Sequence, residues 1–222
     1  MQKKFIAFIA VASSFSGLAL AAEDKAFERL DASAETITEL MHAEDKGIPR
    51  DLMEKAHCVV VVPGLKKAGF ILGAKYGRGY AVCRKGGGWS APAAMRIEGG
   101  SVGFQIGGSE QDVVLLVMND GGMKHILEDK FTLGGEATVA AGPLGRDAEA
   151  QTDAAMRAEM LSYSRSRGVF AGISLQGATL RPDADANKEL YGREMSNRQI
   201  LTGGVATPAA AGRFEAALNG RH

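Results

Sequence analysis

GFILGAKYGRGYAVCR, residues 69–84, is the stretch on which the fold turns. Glycine recurs at positions 69, 73, 77 and 79 among aromatic and apolar residues. The run reads as two β-strands around a turn at residues 77–79. Glycine weakens a strand, so its repeated use points to sharp bending or to close approach of another backbone. The pattern has echoes. Gly103-Phe104 is followed by Gly107, and Gly168 precedes Phe170 and Gly172. Three strands of this kind predict a strongly curved antiparallel sheet, open or partly closed into a barrel.

The flanks support an α+β class. CVVVVP, residues 58–63, is a β-branched run with the look of a buried strand that Pro63 stops. SVGFQIGG and DVVLLVMND read as two further strands joined through residues 108–111. EATVAAG and GVFAGISLQGATL are strand-like, and AEMLSYSR suits helix or strand. Helices surround this β-rich middle. Over residues 23–43, Phe27, Leu30, Ala34, Ile37 and Met41 fall on one stripe, which predicts an amphipathic helix covering the sheet. The alternative is a membrane-surface helix, but its polar face is mostly acidic, whereas such helices usually carry Lys and Arg. Short helices are expected from Pro49, within residues 121–130, at 187–191 and at 213–218. No βαβ alternation or dinucleotide fingerprint is present.

The 222 residues carry 26 basic and 26 acidic side chains. Such a balance gives no general attraction to nucleic acid, so any anion site must be local. Lys3 and Lys4, an apolar run to Leu20 and the small residues of Ala19-Leu20-Ala21 have the pattern of a signal peptide over residues 1–21. The expectation is an exported protein, periplasmic or secreted and peripheral to membrane. Its domain spans residues 22–192, and a tail rich in Ala, Gly and Pro covers 193–222. Cys58 and Cys83 are the only cysteines. In an oxidising compartment they read as a disulfide between neighbouring strands, or otherwise as two small buried thiols.

Catalytic patterns are weak. Ser162, Ser164 and Ser166 invite a nucleophile with His125 and Asp120 or Asp129, but no G-x-S-x-G elbow accompanies them. No phosphate-binding loop of the G-x-x-x-x-G-K-[ST] type occurs, and the four histidines have no metal-ligand spacing. Asp183, Asp185, Asn187 and Glu194 imitate a calcium loop, yet Lys188 stands where the turn needs Gly. A capped helix start after Pro182 accounts for the same residues. The chain is therefore read as non-enzymatic, without cofactor or metal. Basic residues at turns and strand ends are more suggestive: Lys66, Lys67, Arg78, Arg146, Arg165 and Arg167. If these edges meet, they form a cationic rim suited to lipid phosphate; otherwise they are solvated turn charges.

The ordered series GFILGAKYGRG, WSAP, GGSVGFQIGG, DVVLLVMND, KFTLGGEATVAAGPLGR, SYSRSRGVFAGISLQGATL and ELYG resembles the SYLF domain family across residues 26–192. The resemblance implies lipid binding, phosphoinositides above all in eukaryotic members, actin association in some, and no catalysis. Bacterial members commonly carry signal peptides. The expected partners are thus an anionic phospholipid or membrane surface, with an envelope protein-interaction or scaffold role as the alternative.

Overall fold

The computed structural model describes residues 16–43, 47–144, 157–166, 169–170 and 175–220. Its centre is one long antiparallel hairpin. Strand β1 runs Cys58–Lys85 and β3 runs Ala93–Val117, with the short β2, Gly88–Trp89, in the connection. The turn expected at residues 77–79 is absent. Chain reversal comes after Lys85, where Gly86 and Gly87 take positive φ of 55° and 85°. Residues 108–111 likewise continue β3 rather than joining two strands. Pro63 does not stop β1 either. The chain passes it through a bulge between Val62 and Leu65, which accommodates the missing N–H.

The glycines of the opening stretch have a different purpose. β1 curls until its second half crosses its own beginning. A Cβ on Gly79 would lie 1.8 Å from the Val61 carbonyl oxygen, and one on Gly77 would lie 2.6 Å from Val62 Cγ1. Only a residue without a side chain permits that crossing. The two ends of β1 then meet: the Arg84 N–H donates to the His57 carbonyl at 2.8 Å. Beside this contact Cys58 and Cys83 are joined as a disulfide, within one strand rather than between two.

Shorter strands complete the curled half-barrel. β6 (Met160–Ser166) pairs with β3, β5 (Val139–Ala141) with β6 and β7 (Val169–Phe170) with β6. At the other end β8 (Thr179–Pro182) pairs with β3, and β4 (Phe131–Thr132) pairs with β8.

Both faces of the sheet are buried, and the two-residue strand period sorts the side chains between them. Val59, Val61, Tyr80, Val82, Val114 and Leu116 face one core, toward the helices. Val60, Val62, Ala81, Val113, Leu115 and Val117 face the other, inside the curl, with both cysteines. Helix α1 (Ser16–His42) covers the first core with Ala26, Leu30, Ala34, Ile37 and Leu40, all nearly inaccessible. Each of its larger buried chains contributes about 1.5–3 kcal/mol. Phe27 and Met41, expected on this stripe, pack at its margins. The Tyr80 hydroxyl donates to the Ala26 carbonyl at 2.9 Å and pins the helix to the sheet.

The remaining helices are short. α2 is Arg50–Lys55, α3 Asp120–Ile126, α4 Ala184–Tyr191, α5 Asn197–Thr202 and α6 Gly212–Leu218. Residues beyond position 192 supply Ile200, Leu201, Phe214 and Leu218 to the cores. Among the described residues no helix is long and apolar enough to cross a membrane.

Candidate functional site

An open groove of about 1020 Å³ lies where β1, β3 and β6 run side by side. Lys66, Lys67 and Ala68 form one wall, residues 108–112 the floor, and Arg165 and Ser166 the other wall. Strand register does the placing. Lys66 opposes Glu110 and Lys67 opposes Ser109, while Asp112 opposes Arg165. Lys66 is exposed and Lys67 half-buried. Burial, then the nearby charge of Lys75, pushes the Lys67 amine down from its ordinary value. Ser166 donates to the Glu110 carbonyl at 3.2 Å.

The charges do not all face outward. Arg165 donates to Asp112 Oδ2 through Nη2 at 2.7 Å and Nε at 3.3 Å, and it also pairs with Glu39 of α1. Asp112 accepts on its other oxygen from the Gly64 N–H at 2.9 Å. Burial pushes the Asp112 carboxyl up, and the Gly64 N–H pulls it back down. The groove therefore presents two lysines beside a guanidinium already committed to two carboxylates.

Of the basic residues singled out in the sequence, Lys66, Lys67 and Arg165 meet here. Arg78 stands elsewhere. Its Nε and Nη2 grip Asp183 at 2.5 and 2.8 Å, and the Asp183 side chain is only 1 % exposed. Arg146 and Arg167 lie outside the described residues. Asp112, Glu39 and Gly64 carried no signal as site residues, because their significance rests on register and tertiary contact.

The other candidate chemistries do not assemble. His125 contacts Glu128 at 3.2 Å, Glu159 at 3.9 Å and the Phe131 ring; none of these described contacts is a serine. Ser162 donates to the Ala140 carbonyl at 3.1 Å, and Ser164 is buried within β6. The calcium-like residues serve the fold. Asp183 caps α4 by accepting from Ala186 N at 3.3 Å. Asn187 accepts from Ala94 N at 2.7 Å and donates to Asn197 at 2.6 Å. Among the described residues no group of three or more His, Cys, Asp or Glu side chains is placed to hold a metal ion.

The family model described as Ysc84, Las17-binding protein actin regulator, matches residues 98–221, more than half of the chain. The chain belongs to the Ysc84, or SYLF, family. Similar family members include an SH3 domain-containing protein of Schizosaccharomyces pombe, 39% identical over 178 residues that make up 78% of this chain and 41% of the relative. LAS seventeen-binding protein 3 of Saccharomyces cerevisiae is 36% identical over 170 residues, 75% of this chain and 37% of its own. SH3 domain-containing YSC84-like protein 1 of Homo sapiens is 37% identical over 169 residues, 75% of this chain and 49% of its own. The chain thus spans between about two-fifths and one-half of these SYLF relatives.

These matches correct one expectation. The sequence pattern of residues 1–21 pointed to an exported, periplasmic or secreted protein. The matched SYLF proteins are eukaryotic, and their names speak of SH3 domains, YSC84 and LAS seventeen binding rather than of a periplasmic or secreted protein. SYLF-family membership supports a lipid-binding or scaffold role for the chain.

Proposed function

We propose that this chain is a non-catalytic lipid-binding domain that contacts anionic headgroups at a membrane surface through Lys66 and Lys67. The observation that carries the reading is their juxtaposition on one wall of an open groove, with Ser166 opposite. Two ammonium groups on adjacent strand positions offer charge-assisted hydrogen bonds to phosphate or carboxylate oxygens. Glu110 and Asp112 in the same groove limit the net charge, so binding is modest in strength and sensitive to salt.

Flotation with phosphatidylcholine vesicles, with and without phosphatidylserine, tests this. Lys66→Ala/Lys67→Ala is expected to weaken binding to the anionic vesicles by about 2 kcal/mol, roughly thirty-fold, at about 1 kcal/mol per lysine. Equal binding of wild type to both vesicle types would remove the reading.

A second reading is a protein-interaction scaffold. The family description names a Las17-binding actin regulator, which favours a protein partner for the shared domain. Capture of such a partner that persists in Lys66→Ala/Lys67→Ala and ignores phospholipid would support it.

A further inference from the structure

Arg165 has the chemistry of a phosphate ligand, but its contacts assign it another task. Its Nε and Nη2 donate to Asp112, and its Nη1 is paired with Glu39. A headgroup approaching the Nε–Nη2 edge of the guanidinium would have to displace a carboxylate already in place. The Asp112 oxygen that Arg165 leaves free accepts from the Gly64 N–H at 2.9 Å. Gly64 has φ +60°, and a Cβ there would lie 2.6 Å from Glu110 Oε1. It sits inside the bulge of β1.

That bulge decides which way the lysines point. Before it Val62 opposes Val113, and after it Leu65 opposes Gln111. Three steps along β1 thus match two along β3. One extra residue inverts the strand's inside–outside alternation. Val60 and Val62 face the inner core before the bulge, and Leu65 faces it afterwards. Lys66 consequently stands exposed and Lys67 half-buried in the groove. With a regular strand their roles would be exchanged.

We propose that Arg165 is the positioning residue of this groove: it holds Asp112, Asp112 holds the Gly64 N–H, and the bulge so fixed sets Lys66 and Lys67 at the lip. This rests on the headgroup reading for its consequence in binding, while the Arg165–Asp112–Gly64 chain is tested independently of any lipid.

The experiment combines amide hydrogen exchange at Gly64 with flotation on phosphatidylcholine vesicles containing phosphatidylserine, using the full chain. Thermal melting checks that each variant is folded. Arg165→Gln is expected to speed Gly64 exchange roughly tenfold, because Asp112 is no longer held by the guanidinium and keeps the Gly64 N–H less firmly, and to weaken vesicle binding. Arg165→Gln/Asp112→Asn keeps an uncharged chain of hydrogen bonds. The carboxamide introduced at position 112 accepts from the Gly64 N–H and donates to the carboxamide introduced at position 165. The double variant is expected to restore both measurements toward wild type. A double variant that binds no better than Arg165→Gln overturns the positioning role and makes Arg165 a headgroup ligand.

Asp112→Ala gives a second arm. It removes a negative charge and frees the Nε and Nη2 edge of the guanidinium while the Glu39 pair remains, so a ligand role for Arg165 predicts tighter anionic-vesicle binding. Positioning predicts weaker binding and faster Gly64 exchange; tighter binding overturns it. If wild type floats with neither vesicle, the headgroup reading fails and the exchange arm still decides. Unchanged Gly64 exchange in folded Arg165→Gln then overturns the positioning role.

Discussion

Tyr163, in the SYSRSRG segment, illustrates how little a residue's type says about its task. Its ring is buried in the helix-side core, tight against the backbone of Gly142, where a Cβ would lie 2.1 Å from Tyr163 Cζ. Its hydroxyl is buried with no hydrogen-bond partner among the described residues. Tyr80 is buried too and Tyr191 partly buried, but they donate to the Ala26 and Pro92 carbonyls. Burial pushes all three phenols up from their ordinary value. For an acid raised in this way, the folded state holds its proton while the unfolded chain loses one. Stability is therefore complete below the ordinary phenol value near 10 and falls as pH rises above it. Tyr163→Phe is expected to leave stability at pH 7 unchanged or raised by up to about 1 kcal/mol, since an unsatisfied buried oxygen is removed. It should also make the alkaline loss shallower. Urea unfolding from pH 7 to 11 measures both; a clear loss at pH 7 would mean that the hydroxyl is satisfied after all. The neighbouring Ser162 and Ser164 were legible as polar, but their burial in β6 was not.

At the scale of elements, β1 is the informative case. Residues 77–79 have the local composition of a turn, and nothing adjacent in the chain contradicts that reading. The reason for the glycines is Val61, some eighteen positions away, whose carbonyl occupies the space a side chain at 79 would need. Gly79→Ala is expected to cost about 3 kcal/mol, the upper range for forcing atoms into a filled core, as read from the urea midpoint. If the cost stayed below 1 kcal/mol, the strand crossing would not be tight. Helix α1 was more legible, because its signal is periodic and local. Leu30, Ala34 and Ile37 lie on the buried stripe that their spacing implies. The stripe's centre sits slightly off the expected line, so that Ala26 and Leu40 are buried in place of Phe27 and Met41. Rotation of a helix about its axis is set by what it packs on, here Tyr80 and the face of the sheet.

The whole molecule is a hairpin closed on itself. β1 meets its own start through the Arg84–His57 hydrogen bond and the Cys58–Cys83 disulfide, with two cores on opposite faces of the curl. The disulfide spans a sequence separation of 25. Removing it as Cys58→Ala/Cys83→Ala is expected to lower stability by about 3 kcal/mol through the loop entropy returned to the unfolded chain. Guanidinium unfolding of the two proteins checks this, and equal midpoints would show that the ring closes without it. Closure also explains the groove. It opens where β1, having passed the bulge at Gly64, runs beside β3 and the end of β6.

The sequence by itself determined the class of the fold, the curved antiparallel strands, the amphipathic covering helix and the family. Each of these is written in local periodicity, in glycine and β-branched content, or in motifs of contiguous residues. It also marked Lys66, Lys67 and Arg165 as cations near strand ends. Only the tertiary structure decided that the hairpin is unbroken from Cys58 to Val117 apart from its connection. It likewise decided that Asp183 pairs with Arg78 while capping α4, and that Arg165 is held by Glu39 and Asp112. Those outcomes depend on pairings between residues some twelve to a hundred and thirty positions apart. Which partner lies opposite is set by strand register and by a single bulge, and neither leaves a mark on the residues beside it.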